Sequence, residues 1–216
     1  MRFNLPDRAI VEELGIPVLD KHTGLIYHPV FGILYQERFR MAVSFLDKGK
    51  ENILEAGFGR GLLLPELSTY CSRLFGIDVH DKIDTVSRML QKMRLRNIYL
   101  NSGSIRNAPY KDGSFDVVVC LSVLEHINDL GPCFKEFSRV LKSRGELIIG
   151  FPVKNRLTDL LFKVIGYNAD DIHPSSHRDI IEAAGGYFSL KEYAVYPRHF
   201  PVDCSLYFTG KFTKRI

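Results

Sequence analysis

Residues 53–61 read Ile53-Leu54-Glu55-Ala56-Gly57-Phe58-Gly59-Arg60-Gly61, and this order decides the fold. Asn52 to Ala56 is a short apolar run, as expected of a strand buried on both faces of a parallel sheet. Three glycines follow at alternate positions. Leu62 to Leu67 then opens a helix, with Pro65 tolerable in its first turn. A strand, a glycine turn and a helix start in this order form a nucleotide cradle, because glycine turns tightly and lets the backbone approach a ligand closely.

The spacing selects among nucleotides. A dinucleotide fingerprint wants its third glycine three residues after the second, but that position is Leu62, and Gly61 comes one residue early. Glu55, at the strand end, repels a pyrophosphate and suits a cationic ligand. S-adenosylmethionine carries an ammonium and a sulfonium and no phosphate. Here the chain resembles the class I S-adenosylmethionine-dependent methyltransferases, whose first motif is acidic-x-Gly-x-Gly-x-Gly. The Leu124-Glu125-His126-Ile127 tetrad, just past the fourth expected strand, is common in the small-molecule branch of that family, which includes enzymes of ubiquinone and menaquinone biosynthesis.

Length and composition agree with such a fold. The 216 residues suit one domain, and a hydrophobic content of 45% supports a sizeable core. The net charge of +4, with both signs interspersed, is too mild to imply nucleic acid. Cys71, Cys120, Cys133 and Cys204 form no CxxC pair, and read as reduced thiols in a cytoplasmic protein. No signal core stands at the N-terminus, and no apolar run reaches the ~20 residues a bilayer span needs.

Outward from the glycine stretch, residues 1–50 read as a helical extension, 51–152 as the cofactor-binding core, and 153–216 as helices and a terminal hairpin. Asp7 caps a short helix through Leu14. Pro29 begins a longer one, with Leu34, Arg38, Met41 and Phe45 along one side. This extension either covers the substrate side, as the resemblance implies, or packs on the sheet. Arg73 to Val79 is a second strand, with Asp78 at its C-terminal end. Ile83, Val86, Leu90 and Met93 mark a helical face, and Ile98 to Asn101 is a third strand. Val117 to Ser122 is a fourth strand. Phe134, Phe137, Val140 and Leu141 line the next helix, Gly145 ends it, and Glu146 to Phe151 is a fifth strand.

Leu157, Leu160, Leu161, Val164 and Ile165 form an apolar helix face, which either covers the sheet or lies on a membrane surface. Ser176 to Asp179 is a capping box, and Gly185-Gly186 stops its helix. Tyr187 to Tyr196 is a sixth strand. In the seventh, Cys204, Leu206, Phe208 and Phe212 alternate with Ser205, Tyr207, Thr209 and Lys211. Alternating strands and helices imply an α/β, Rossmann-like, doubly wound sheet. It is expected to have seven strands, five parallel ones plus a C-terminal antiparallel hairpin. The ligand crevice lies at the carboxyl ends of the strands, where Glu55, Asp78, Ser104 and Ser122 all fall.

The resemblance implies S-adenosyl-L-methionine as cofactor and assigns roles. Glu55 orients the methionine amine. Gly57, Phe58, Gly59 and Gly61 wrap the methionine and ribose. Asp78 holds the ribose, for which its alternative is a cap on the next helix. Val79 and Ile105 sandwich the adenine, and Leu121 is a further cofactor-binding candidate. Ser104 stands where the family carries an adenine-reading acid, in a loop whose Pro109, Tyr110, Asp112, Ser114, Phe115 and Asp116 match the family's third motif. His126 is the candidate general base, or else a histidine bonded to backbone at a helix start. Tyr27, His28 and Tyr110 are weaker candidates for the substrate pocket. His173 and His177 are four apart, but Pro174 interrupts the first turn, so no zinc pair on one helix and no metal site is assigned. The expected function is methyl transfer to a small-molecule or lipid-like acceptor at O, C or N. The alternatives are a non-catalytic cofactor-binding subunit and a nicotinamide-dependent oxidoreductase. Peripheral membrane contact stays open, and oligomeric state is silent.

Overall fold

A computed structural model describes residues 3–14, 26–27, 31–164 and 173–215. His28, Pro29 and Ile165 lie outside the described residues. Helix α1 is Arg8–Glu13, and Asp7 caps it by accepting the Ala9 N–H at 3.0 Å. Helix α2 is Phe31–Ser44. The sheet strands are β1 (Lys50–Ala56), β2 (Cys71–Asp78), β3 (Ile98–Ser102), β4 (Phe115–Leu121), β5 (Leu141–Pro152), β6 (Phe188–Tyr196) and β7 (Tyr207–Lys214). Between them run α3 (Leu64–Leu67), α4 (Ile83–Lys92), α5 (Gly131–Val140), α6 (Arg156–Val164) and α7 (His177–Gly185).

The strands form one seven-stranded sheet in the order β3-β2-β1-β4-β5-β7-β6. The first five are parallel, and β7 runs antiparallel to both β5 and β6. This is the architecture expected from the sequence. Alternate side chains of each strand feed opposite faces. Leu54, Val118, Cys120 and Ile149 meet Phe134, Phe137 and Val140 of α5 and Ile180 of α7 on one side. Ile53, Val117, Val119 and Ile148 meet Val11, Phe39, Ala42 and Val43 of α1 and α2, and Met89 of α4, on the other. A fully buried phenylalanine such as Phe134 stabilises the fold by about 1.5–3 kcal/mol.

Several elements differ from the sequence reading for local reasons. Helix α3 has four residues, all buried, so the cradle rests on its loop and not on a helix dipole. Leu141 belongs to β5, not to the helix before it. It pairs with Phe115, Arg144 takes φ 65°, and the register shifts before Val117 meets Glu146. Gly145 therefore lies within an irregular strand. On α6, Leu157 and Leu160 are 52% and 59% exposed, so those two leucines do not cover the sheet. Strand β7 carries the expected alternation without an open face. Being interior, it buries Tyr207 and Thr209 as well as Phe208 and Phe212. Among the described residues, no helix is long and apolar enough to cross a membrane.

Candidate functional site

The carboxyl ends of β1, β2 and β4 lie side by side, because these strands are adjacent and parallel. Glu55 ends β1 on the face shared with Ile53, under α2. It is 5% exposed, and its Oε2 has no hydrogen-bond partner among the described residues. Burial and the neighbouring Asp78 carboxylate push its carboxyl well above the ordinary carboxylate range, while Arg38 pulls the other way. A carboxylate so placed wants a cation.

The turn that follows is left-handed at each of its glycines, with φ of 80° at Gly57, 50° at Gly59 and 70° at Gly61. A Cβ on Gly57 would run into Val123 beyond β4, so this glycine lets the loop press against the neighbouring strand end. A Cβ on Gly59 would meet nothing within 4 Å, so space lies open beside the loop backbone there. The Phe58 ring is 4% exposed. It packs beneath the loop against Gly76 and edge-on to His80, with ring centroids 5.1 Å apart. Of Phe58, the backbone and not the ring is presented to a ligand.

Asp78 holds this loop. Its Oδ2 accepts the Gly59 N–H at 2.7 Å, and its Oδ1 takes only a long bond from the His80 N–H at 3.3 Å. It does not cap α4, whose N-cap is Lys82 without a side-chain bond. His80, two residues past β2, also meets the Gly59 carbonyl through Nε2 at 2.5 Å, so both backbone groups of Gly59 are held. Val79 is 75% exposed at the strand end, whereas Ile105 is 7% exposed within the core. Ser104 spends its hydroxyl on the Arg106 N–H at 3.2 Å. The loop beyond is pinned from α5, where Glu136 accepts the Ala108 N–H at 2.7 Å and Arg139 reaches the Tyr110 carbonyl. Tyr110 is wedged between Phe75 and Phe115, with Asn101 on its hydroxyl, so it belongs to the core of that loop and not to a substrate pocket. Tyr27 gives its hydroxyl to the Pro6 carbonyl.

A second group lies past β4. Leu121 is the last residue of β4, 9% exposed, and Ser122 turns the chain with φ 54°. The Ser122 hydroxyl meets the Tyr207 hydroxyl at 2.9 Å and accepts from an Arg38 guanidinium N–H at 3.3 Å. Arg38 packs over the rings of Tyr35 and Phe39, and its Nε has no partner among the described residues. A short 3-10 helix, Leu124–His126, follows. Glu125 is 2% exposed, its Oε2 has no partner among the described residues, and burial pushes its carboxyl up to about 8. His126 is exposed, and its ring lies 5.0 Å from that of His173. Burial, then the nearby His126 and Lys154, lower His173 to about 4.

His173 is brought there by backbone. The Ser175 N–H donates to the Glu125 carbonyl at 3.3 Å, and the Ser175 hydroxyl donates to the Ile127 carbonyl at 2.5 Å. His177, in contrast, is the first residue of α7 and bonds Asp203 at 2.8 Å, so the two histidines four apart do not act together. Sequence reasoning missed Arg38, Tyr207 and Glu125 as site residues. The first two read as positions on one side of a helix and in an alternating strand. For Glu125, its acid-imidazole adjacency was the available signal.

Residues 54–149 match the family model described as a methyltransferase domain. A ubiquinone biosynthesis O-methyltransferase of Coxiella burnetii is 24% identical over 151 residues, covering 64% of this chain and 64% of its own length. The chain spans about half the length of the curated relatives it matches, and less than two thirds in each case reported. Two solved structures share the fold. The N-methyltransferase NodS of Bradyrhizobium japonicum, in complex with S-adenosylhomocysteine, has a TM-score of 0.66 at 19% identity over 97% of this chain and 98% of its own. The geranyl diphosphate C-methyltransferase of Streptomyces coelicolor has a TM-score of 0.69 at 16% identity over 100% of this chain and 89% of its own.

Proposed function

We propose, from the premise that this chain belongs to the class I S-adenosylmethionine-dependent methyltransferases, that it moves a methyl group from S-adenosyl-L-methionine to a small-molecule or lipid-like acceptor. The observation that carries this reading is the Glu55 carboxylate, buried, lacking a hydrogen-bond partner on Oε2, and set beside a left-handed glycine turn with open space at Gly59. An ammonium group satisfies that carboxylate, and a pyrophosphate does not. The donor, when bound, supplies a methyl carbon already activated by its sulfonium.

The chain's own residues then have positioning tasks. Glu55 takes the amine, directly or through water. The backbone of Gly57, Gly59 and Gly61 wraps the methionine and ribose. Asp78 Oδ1, engaged only by the long His80 contact, retains acceptor capacity for ribose hydroxyls. Val79 and Ile105 flank the adenine, and Leu121 closes its far side. Ser104 offers a weaker acceptor than the family's acid, since its hydroxyl already serves Arg106. The group past β4 faces the acceptor, with His126 able to take a proton from an O–H or N–H nucleophile. Alignment of nucleophile, carbon and sulfur supplies most of the rate.

The relatives and neighbours act at O, N and C atoms by their names, so the accepting atom is argued from residues alone. Calorimetric titration with S-adenosylhomocysteine tests the reading. Saturable one-to-one binding, weakened about tenfold or more by Asp78→Ala, supports it. Heat with a nicotinamide dinucleotide and none with S-adenosylhomocysteine overturns it. Tight binding without turnover across a broad acceptor panel favours the non-catalytic subunit instead.

A further inference from the structure

Two imidazoles and one carboxylate converge where the sequence assigned no metal. Glu125, His126 and His173 each offer one ligand atom, and these atoms all lie within 4.8 Å of one another. Two of the three residues are buried, and Glu125 Oε2 has no hydrogen-bond partner among the described residues. Their origin is not accidental crowding on one helix. His126 closes the 3-10 helix after β4, and His173 arrives from a segment more than forty residues later, fastened by the two Ser175 bonds to Glu125 and Ile127.

We propose that Glu125, His126 and His173 form a binding site for one divalent first-row transition cation of the zinc class. This site would recruit an oxygen acceptor such as a phenol or catechol. Two imidazole nitrogens favour such a cation over magnesium or calcium, which prefer all-oxygen ligands. Ligands at about 2.0–2.1 Å from zinc stand roughly 3.3 Å apart in a tetrahedron, so the cluster must tighten. His126 is exposed at the edge of the cluster, so its ring is the least confined of the three ligands. Three protein ligands leave a fourth position open, the pattern of a site that meets substrate and not of a closed structural one.

The consequence for the reaction rests on the reading above, with His126 serving as a ligand in place of the base. A cation lowers the acidity constant exponent of an oxygen nucleophile, so the acceptor hydroxyl yields its proton to solvent near neutral pH. Its oxygen forms the bond to the methyl carbon as the carbon–sulfur bond breaks, and the sulfur keeps the electron pair. Positive charge on the sulfonium is neutralised in the same step.

The test uses the full chain, stripped with chelator and titrated with Co2+ alone. One equivalent should bind with visible ligand-field bands, and Zn2+ should displace it. His126→Ala and His173→Ala should each weaken binding at least about 100-fold, and exposed His199→Asn should leave it unchanged. Because His126 is exposed, its alanine variant should fold even where a buried substitution does not. Absence of saturable Co2+ binding, or its retention in both alanine variants, overturns the site. Catechol added to the Co2+ protein should shift the bands, and unchanged bands overturn the acceptor class. S-adenosylhomocysteine calorimetry on the same samples separates the two readings. Donor binding without Co2+ binding removes only the metal site, and the reverse removes only the proposed methyl transfer.

Discussion

The glycine turn and the group past β4 stand at neighbouring strand ends but are assembled differently. Glu55, Gly57, Gly59 and Gly61 are consecutive or nearly so, and Asp78 and His80 reach them from the adjacent strand. Ser122 instead gathers Arg38 from α2 and Tyr207 from β7, while Glu125 and His126 meet His173 from the segment before α7. The first region is a local structure that one strand pair completes. The second exists only after the whole sheet has formed. Under the proposed function the first region takes the donor and the second the acceptor, so the donor is met by a local construction and the acceptor by one built from distant parts.

Gly57 joins the two regions, so it offers the largest test of their separateness. Its φ of 80° and the collision a Cβ would make with Val123 predict that Gly57→Ala costs about 3 kcal/mol of stability. Urea unfolding measures this. Gly59→Ala, also at positive φ but facing open space, should cost about 1 kcal/mol and act chiefly on donor affinity. Equal stability losses in the two variants would mean that the loop does not lean on Val123.

Next in size is Asp78→Ala, which should weaken S-adenosylhomocysteine binding by about 1–3 kcal/mol, the scale of charge-assisted bonds lost. It removes both the proposed ribose acceptor and the anchor on the Gly59 N–H. Asp78→Asn keeps an acceptor oxygen and should recover part of the loss. If Asp78→Ala leaves the dissociation constant unchanged, Asp78 only shapes the loop.

Glu55→Gln sets stability against binding. Burial and Asp78 raise the folded-state pKa of Glu55 above its ordinary 4.5. The folded chain therefore holds a proton that the unfolded chain has lost, and stability falls as pH rises from that ordinary value through the raised one. Glutamine removes the titration. Without ligand, Glu55→Gln should be about 1 kcal/mol more stable than the wild type at pH 7, and should show a flatter dependence on pH above 4.5. It should at the same time bind S-adenosylhomocysteine more weakly. Loss of stability on this substitution would mean that the carboxylate has a partner in the folded state at neutral pH.

The same division decided what the sequence could tell. Periodicity and turn residues located every strand, and the Asp7 cap and the Ser176–Asp179 capping box stand as read, because these depend on neighbours in the chain. The glycine turn was legible because positive φ leaves few residue choices. Leu141 was misassigned since its helix-like spacing gave no sign of its pairing with Phe115. Burial of Tyr207 was not legible because alternation reports two faces but not whether both are covered. Strand order, with β7 between β5 and β6, makes both faces interior. Pro174 set His173 apart from His177, but nothing in the spacing gave it another partner. Only the Ser175 bonds, invisible to spacing, turn it toward His126.

Tyr207→Phe is the smallest and most selective probe of the distant assembly. The substitution removes one hydroxyl from a buried position and leaves the ring packing in place. Ser122 keeps its Arg38 bond, so no polar group is left without a partner there. The expected cost in stability is therefore below about 1 kcal/mol, the net worth of one neutral hydrogen bond. Donor affinity should stay within about twofold, since the Tyr207 hydroxyl bonds Ser122 and not the glycine turn. Acceptor KM should rise, because Arg38 and Ser122 lose the group that fixes their arrangement. Were donor affinity to fall as much as KM rises, the two regions would be one cooperative unit, and the contrast between a local donor site and a distant acceptor site would not describe this protein.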